Sequence, residues 1–176
     1  LSTSVTVDGK KFITHPDAFL QAHPEQSALI YGEIKKLFQN NPADFLIDLY
    51  SGIGITSILT APFARKIIGI EFNKKAVGLA KTNAHNHNIG NTTFKATKVE
   101  DELQGLLVNN PDAAIVNPPR EGLDPSVANA LATSQIKKLV YLSCQPATLA
   151  RDLNVFKENG FEIDKAQAFD MFPETG

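Results

Sequence analysis

Apolar and polar positions along the chain change rhythm twice. From Val5 to Thr14 they alternate about the pair Asp8-Gly9, the pattern of two short strands joined by a tight turn. From Pro24 the spacing lengthens to three and four residues, with Leu29, Ile30, Ile34, Leu37 and Phe38 on one stripe, and Asn40-Asn41-Pro42 closes the segment. That pattern predicts a helix. Beyond it, apolar runs of strand length at 45–50, 66–71, 92–96, 113–116, 139–144 and 161–169 alternate with helical segments at 56–64, 73–86, 125–132 and 146–157. Near-continuous apolar strands interleaved with helices are what a parallel sheet covered on both faces requires.

The expected architecture is an α/β fold of Rossmann-like type, mostly parallel, with helices on both faces and a short N-terminal β-hairpin. Ligands of such sheets sit beyond the carboxyl ends of the strands, so the residues after each apolar run are the candidates for chemistry. The first such end reads Asp48-Leu49-Tyr50-Ser51-Gly52-Ile53-Gly54, between a strand and a helix, where two glycines let the backbone turn sharply. A plain tight turn explains many such matches. Here the next run ends at Glu71, about 20 residues on, where a carboxylate can accept both hydroxyls of a ribose. The other reading of Glu71 is an acid beside the N-terminus of the helix that begins near Asn73. Position 57, where a dinucleotide fingerprint has its third glycine, is Ser57. That turns the expectation from a dinucleotide toward a mononucleoside such as S-adenosylmethionine, which has no pyrophosphate to cradle.

Two further ends carry polar groups. Asn117-Pro118-Pro119-Arg120-Glu121-Gly122 follows the fourth run, and its two prolines hold Asn117 in a fixed direction. The fifth run ends at Cys144, the only cysteine, just before a helix starting near Pro146. A lone cysteine is usually a small buried hydrophobe, but at a helix N-terminus the partial positive charge favours a nucleophilic thiolate. Arg151, one turn into that helix, has three open readings: added support for the thiolate, an ion pair with Asp152, or a phosphate contact.

Composition narrows the class. With 176 residues, 43% hydrophobic and 20% charged, the chain suits one well-buried core. A single cysteine excludes an internal disulfide framework, no run approaches the roughly 18 apolar residues of a membrane helix, and the N-terminus has no signal-peptide pattern. A cytoplasmic protein with no membrane partner is expected. The net charge of −2 is not that of a protein holding nucleic acid by charge alone, so part of any grip on RNA is expected outside the chain. The lack of an initiating methionine suggests a piece of a larger protein. His85 and His87 lie two residues apart on a helix, which points their rings apart, so no metal site is expected.

Taken together these segments resemble the RNA uracil-5-methyltransferases, which make 5-methyluridine. The resemblance runs from Phe19 to the last residue. Phe19-Leu20-Gln21 looks like the family's Phe-x-Gln segment, and the 48–54 stretch like its cofactor loop. Glu71 matches its ribose-binding acid, and 117–122 its Asp-Pro-Pro-Arg-x-Gly segment. Ser143-Cys144-Gln145-Pro146-Ala147-Thr148-Leu149-Ala150-Arg151-Asp152 is close to its nucleophile motif, and Asp170-Met171-Phe172-Pro173-Glu174-Thr175-Gly176 resembles the start of its C-terminal motif. The resemblance implies a class I methyltransferase domain over 19–176, with 1–18 as a hairpin at the end of an adjoining domain. It implies transfer of a methyl group from S-adenosylmethionine to uridine carbon 5 through a Cys144 adduct. Gln21, Tyr50, Gly52, Ile55, Glu71, Lys98 and Asn117 would bind the cofactor or the target base, and Arg120 and Arg151 the substrate. The Met-Phe-Pro and Thr-Gly pairing is nearer the 23S ribosomal RNA enzymes than the transfer RNA enzyme.

The chain also departs from the family's pattern. Asn117 replaces an aspartate, His23 and Lys98 replace asparagines, and Glu174 stands where His, Tyr or Gln is usual. The family's motif runs on to a glutamate base about three residues past Gly176, so the piece as given is expected not to complete turnover. The seventh strand of the sheet would be missing too, leaving 161–169 either improperly paired or completed by another molecule. Two rivals stand beside this reading. Asn117-Pro118-Pro119 resembles the Asn-Pro-Pro-Tyr motif of amino-group methyltransferases, although Arg120 replaces the aromatic on which such enzymes stack a flipped base. The other rival is a cofactor- or RNA-binding module without catalysis.

Overall fold

The computed structural model describes residues 3–15 and 24–171. Strands β1 (Thr3–Val7) and β2 (Lys10–Thr14) pair antiparallel about Asp8 and Gly9. Both turn residues have positive φ, 50° and 71°, as a two-residue hairpin requires. Helix α1 (Pro24–Asn40) follows, and then the main sheet: β3 (Ala43–Leu49), β4 (Ala64–Glu71), β5 (Thr92–Ala96), β6 (Ala113–Val116) and β7 (Lys138–Tyr141). Its order is β5-β4-β3-β6-β7 and every pairing is parallel. The connecting helices are α2 (Ile55–Thr60) with a 3-10 turn at Ala61–Phe63, α3 (Lys74–Asn86), α4 (Val99–Leu107), α5 (Pro125–Ala132) and α6 (Pro146–Glu158).

Alternation along the central strand divides the core in two. Leu46 of β3 faces a layer made by α1, α2, α3 and the hairpin, with Phe12, Phe38, Ile58 and Ile67 buried there. Ile47 and Leu49 face the layer of α4, α5 and α6, with Leu103, Val127, Leu131 and Phe156. The hairpin is joined to the first layer by more than apolar contact. Asn83 of α3, fully buried, accepts from the Ile13 N–H at 2.8 Å and donates to the carbonyls of Ile13 at 3.1 Å and Ile53 at 3.2 Å.

Three features differ from the sequence expectations. Helix α4 was not anticipated, although Val99, Leu103 and Leu106 all lie on its buried face and Glu100, Asp101 and Glu102 fill its first turn. The run ending at Cys144 is shorter as a strand, since β7 stops at Tyr141. Residues 161–169, expected at strand length, have no regular secondary structure. An extended segment becomes a strand only when a neighbour takes up its N–H and C=O groups, and among the described residues none pairs with it. It lies back toward α1 through an ion pair of Lys165 with Glu33 at 2.5 Å. Among the described residues no strand pairs with the outer side of β7, and all four of its residues are half-buried.

Candidate active site

Because all five strands are parallel, their carboxyl ends share one edge. Along that edge stand Lys98 after β5, Glu71 at the end of β4, the turn 50–54 after β3, the loop 117–122 after β6, and Cys144 after β7. Strands lie about 4.8 Å apart, so the cysteine loop begins about 10 Å from the 50–54 turn. Most of the residues picked out by sequence are thereby brought together. Gln21 lies outside the described residues, as do His23 and Glu174.

The 50–54 turn is held from beneath. Asp48 is 1% exposed, and its Oδ2 accepts from Thr56 Oγ1 at 2.5 Å and Ser57 Oγ at 2.6 Å. Ser57 thus occupies the place of a third fingerprint glycine because its hydroxyl is a ligand of this carboxylate. Burial pushes the Asp48 carboxyl up to about 6, opposed by the Ser57 and Thr56 hydrogen bonds and reinforced by the charge of Glu71. Its second oxygen, Oδ1, and the neighbouring Ser51 Oγ are buried without partners.

Tyr50 takes a left-handed backbone, φ 62°, a strained state for a non-glycine residue that clusters at ligand sites. Burial raises its hydroxyl above the ordinary range, as do the carboxylates of Glu100, Asp124 and Asp152. Gly54 is also left-handed, φ 84°, and a Cβ there would stand 2.9 Å from Phe94 Cζ. Ile55 opens α2 with its side chain in the core, 5% exposed.

Of the two readings of Glu71, the one formed within the chain is the tie to the start of α3. Oε1 accepts from the Asn73 N–H at 2.7 Å and Oε2 from the Gly52 N–H at 3.1 Å, so the carboxylate ties the turn to the start of α3. Each oxygen keeps a second lone pair, enough for the two hydroxyls of a ribose. Lys98, exposed, sits at the N-cap of α4 one strand further out.

On the other side, the Asn117 N–H bonds to the Leu49 carbonyl at 3.2 Å and the Gly122 N–H closes a turn onto the Pro119 carbonyl at 2.9 Å. This loop is clamped to α6. Asp152, 2% exposed, accepts at Oδ2 from the Leu123 N–H at 2.8 Å and the Tyr141 hydroxyl at 2.6 Å, and at Oδ1 from Arg151 Nε at 2.8 Å. The Arg151 guanidinium also donates to the carbonyls of Glu121 and Leu123, each at 3.0 Å. Of the readings left open for Arg151, the ion pair with Asp152 is formed. Gly122, φ 79°, lies under the clamp, where a Cβ would meet Arg151 and Asp152 atoms at 2.7 Å. Arg120 is exposed, and its carbonyl accepts from Thr148 Oγ1 at 3.1 Å.

Cys144 is exposed and unpaired, two residues ahead of the first residue of α6. Its position is fixed by a local turn in which the Gln145 N–H donates to Ser143 Oγ at 3.0 Å. Sequence reasoning offered Asp152 only as a partner of Arg151; that the same carboxylate also takes the Leu123 N–H and the Tyr141 hydroxyl was missed, and nothing in the spacing of those residues signals it.

Comparison with known proteins turns this edge into a family assignment. The family model described as tRNA (Uracil-5-)-methyltransferase matches residues 1–176. The chain belongs to the tRNA (uracil-5-)-methyltransferase family. Among its relatives, an uncharacterized RNA methyltransferase of Enterococcus faecalis is 38% identical over 172 residues, covering 97% of this chain and 38% of that protein. One from Protochlamydia amoebophila is 41% identical over 162 residues, covering 91% of this chain and 37% of its own. The chain therefore spans well under half the length of these relatives. Among solved structures, the Pyrococcus abyssi tRNA (uracil-54, C5)-methyltransferase, in complex with S-adenosyl-L-homocysteine, superposes with TM-score 0.82 at 28% identity. That match covers 98% of this chain and 41% of the other. Among the described residues no group of three or more His, Cys, Asp or Glu side chains is placed to hold a metal ion, and no helix is long and apolar enough to cross a membrane.

Proposed function

We propose that this chain is the catalytic part of an S-adenosylmethionine-dependent RNA (uracil-5-)-methyltransferase, with 23S ribosomal RNA as its target. The observation that carries the reading is an exposed cysteine in the family's nucleophile motif, on the sheet edge that also holds Glu71 and the 50–54 turn. The chain's groups suit the cofactor. Glu71 retains a lone pair on each oxygen for the ribose, and two buried oxygens, Asp48 Oδ1 and Ser51 Oγ, remain unpartnered at the turn.

The residues then have distinct tasks. The Cys144 thiolate adds to carbon 6 of uracil, and the electrons of the C5–C6 double bond move toward the carbonyl oxygen at carbon 4 as an enolate. S-adenosylmethionine, when bound, supplies an electrophilic methyl group for carbon 5. A base takes the carbon 5 proton, the double bond re-forms and the thiolate is expelled. The Arg151–Asp152 clamp fixes the 117–122 loop against the helix that presents Cys144, which sets the approach of the base to the sulfur. The liking for ribosomal over transfer RNA rests on the Met171-Phe172-Pro173 and Thr175-Gly176 residues.

RNA bearing 5-fluorouridine tests the mechanism, because fluorine on carbon 5 prevents the final elimination. The full-length protein is expected to form a denaturation-resistant adduct with such RNA in the presence of S-adenosylmethionine, and Cys144→Ala to form none while still binding S-adenosylhomocysteine. No adduct from the parent with either a 23S fragment or a transfer RNA transcript overturns the enzyme reading. Adduct with the transfer RNA alone overturns the ribosomal target.

A further inference from the structure

The chain carries 19 acidic residues, yet residues 72–98 contain neither Asp nor Glu. This stretch comprises α3 and β5, at the edge of the sheet opposite β7. Its lysines are Lys74, Lys75, Lys81, Lys95 and Lys98, of which Lys95 is neutralised by Glu102. On α3 the buried residues are Ala76, Val77, Ala80, Asn83 and Ala84, so Lys74, Lys75, Lys81 and His85 fall on the exposed side. Lys74 and Lys81 enter no ion pair among the described residues. In a chain of net charge −2, an acid-free cationic helix face is a local exception to the overall balance.

The face has a shape as well as a charge. Beside α3 runs a groove of about 430 Å³ along β5, the outermost strand among the described residues, lined by Lys81, His85, Ile89, Thr92 and Thr93 among others. Thr92 Oγ1 is buried at its wall without a hydrogen-bond partner. Lys74 lies three residues after Glu71, at the edge that holds the proposed active site, and His85 stands eleven residues further on, about 17 Å along the helix axis. A line of lysines leading away from the catalytic edge to a groove where Lys81, the His85 imidazole and two threonine hydroxyls sit beside apolar side chains suits a chain of phosphates. A single small anion would need only one end of it.

We propose that the exposed face of α3 and the groove beside β5 hold the phosphodiester backbone of substrate RNA flanking the target nucleotide. This rests on the RNA methyltransferase reading above, and it assigns RNA contacts to the catalytic part of the protein itself. The cations position the strand and carry no sequence information.

The test is the salt dependence of RNA affinity in the full-length protein. Each lysine–phosphate contact contributes about 0.7 to the slope of log affinity against log salt for a single strand and about 0.9 for a duplex. The double substitution Lys74→Gln with Lys81→Gln is expected to make the slope less negative by about 1.4 to 1.8. Lys81→Arg in place of Lys81→Gln should recover half of that change, and Lys157→Gln, on the exposed end of α6, should leave the slope as it was. Unchanged melting temperature and S-adenosylhomocysteine affinity show that the fold is intact. An unaltered slope in a double variant whose parent still forms the 5-fluorouridine adduct overturns this inference alone. A parent that forms no adduct overturns the methyltransferase reading instead, whatever the slopes.

Discussion

Replacing Asp152 by Ala is the sharpest probe of how the cysteine helix is joined to the neighbouring loop. The carboxylate is 2% exposed and accepts from three donors: the Leu123 N–H, the Tyr141 hydroxyl and Arg151. Hydrogen bonds to a charged group contribute about 1.5–3 kcal/mol each, and a buried donor left unsatisfied costs about 1–3 kcal/mol. Against this stands the relief of a buried charge. Arg151 is 52% exposed and recovers water when its partner goes, so its share is discounted. The Leu123 N–H is buried and keeps no alternative acceptor. The net loss is about 3 kcal/mol, the low end of what breaking a buried pair costs. In urea, with m of about 1–3 kcal/mol/M, the midpoint should fall by about 1–3 M at unchanged m. Asp152→Asn keeps an acceptor for Leu123 but turns amide hydrogens toward Arg151, and should fall between parent and Ala. In the full-length protein both variants should slow adduct formation at saturating RNA more than they weaken RNA binding. A loss below about 1 kcal/mol for Asp152→Ala would refute the reasoning, since the bonds would then merely offset the carboxylate's desolvation.

Three further outcomes follow from particular contacts. Asp48 holds its proton up to about pH 6 when folded against an ordinary 3.8, so the folded state binds more protons than the unfolded between those values. Its contribution is full below about pH 4 and is lost as pH rises through 6, by about 3 kcal/mol. Asp48→Asn should therefore gain on the parent by that amount between pH 4 and 7 in denaturant titrations, and a constant difference across that range would refute the assignment. Gly54→Ala places a Cβ 2.9 Å from Phe94 Cζ at φ 84°. With about 1–2 kcal/mol for the left-handed backbone and about 1–3 for overpacking, it should lower the melting temperature and weaken S-adenosylhomocysteine binding; a melting curve like the parent's would count against it. Among the described residues the backbone amides of 162–169 belong to no ladder, so hydrogen exchange should find them open while β3 is protected to the level of global unfolding. Strong protection of that segment in the isolated 176-residue chain would mean that it pairs after all.

What the sequence revealed and what it hid divide along a physical line. The sheet was legible because β3 and β4 are covered on both faces and their apolar runs are nearly unbroken, and the hairpin because Asp8-Gly9 is chemically suited to two consecutive positive φ values. The site edge was legible for a topological reason: once all strands are parallel, every strand end must lie on the same side, so Glu71, Asn117 and Cys144 converge without any contact between them being known. Side-chain partnerships obey no such rule. Nothing in the spacing of Asp48 and Ser57 shows that a buried carboxylate needs that hydroxyl, and Asn83 reaches 70 residues back to Ile13. Buried polar groups must be satisfied, but their partners are chosen by the packing of distant segments. The same logic explains Arg151, whose motif position suits substrate while its guanidinium is held by Asp152 and two carbonyls of the adjacent loop. A charged residue in the helix that follows a nucleophile therefore has two ways to serve it, by touching the substrate or by fixing the element that does. Here the second is the one whose partners are in place.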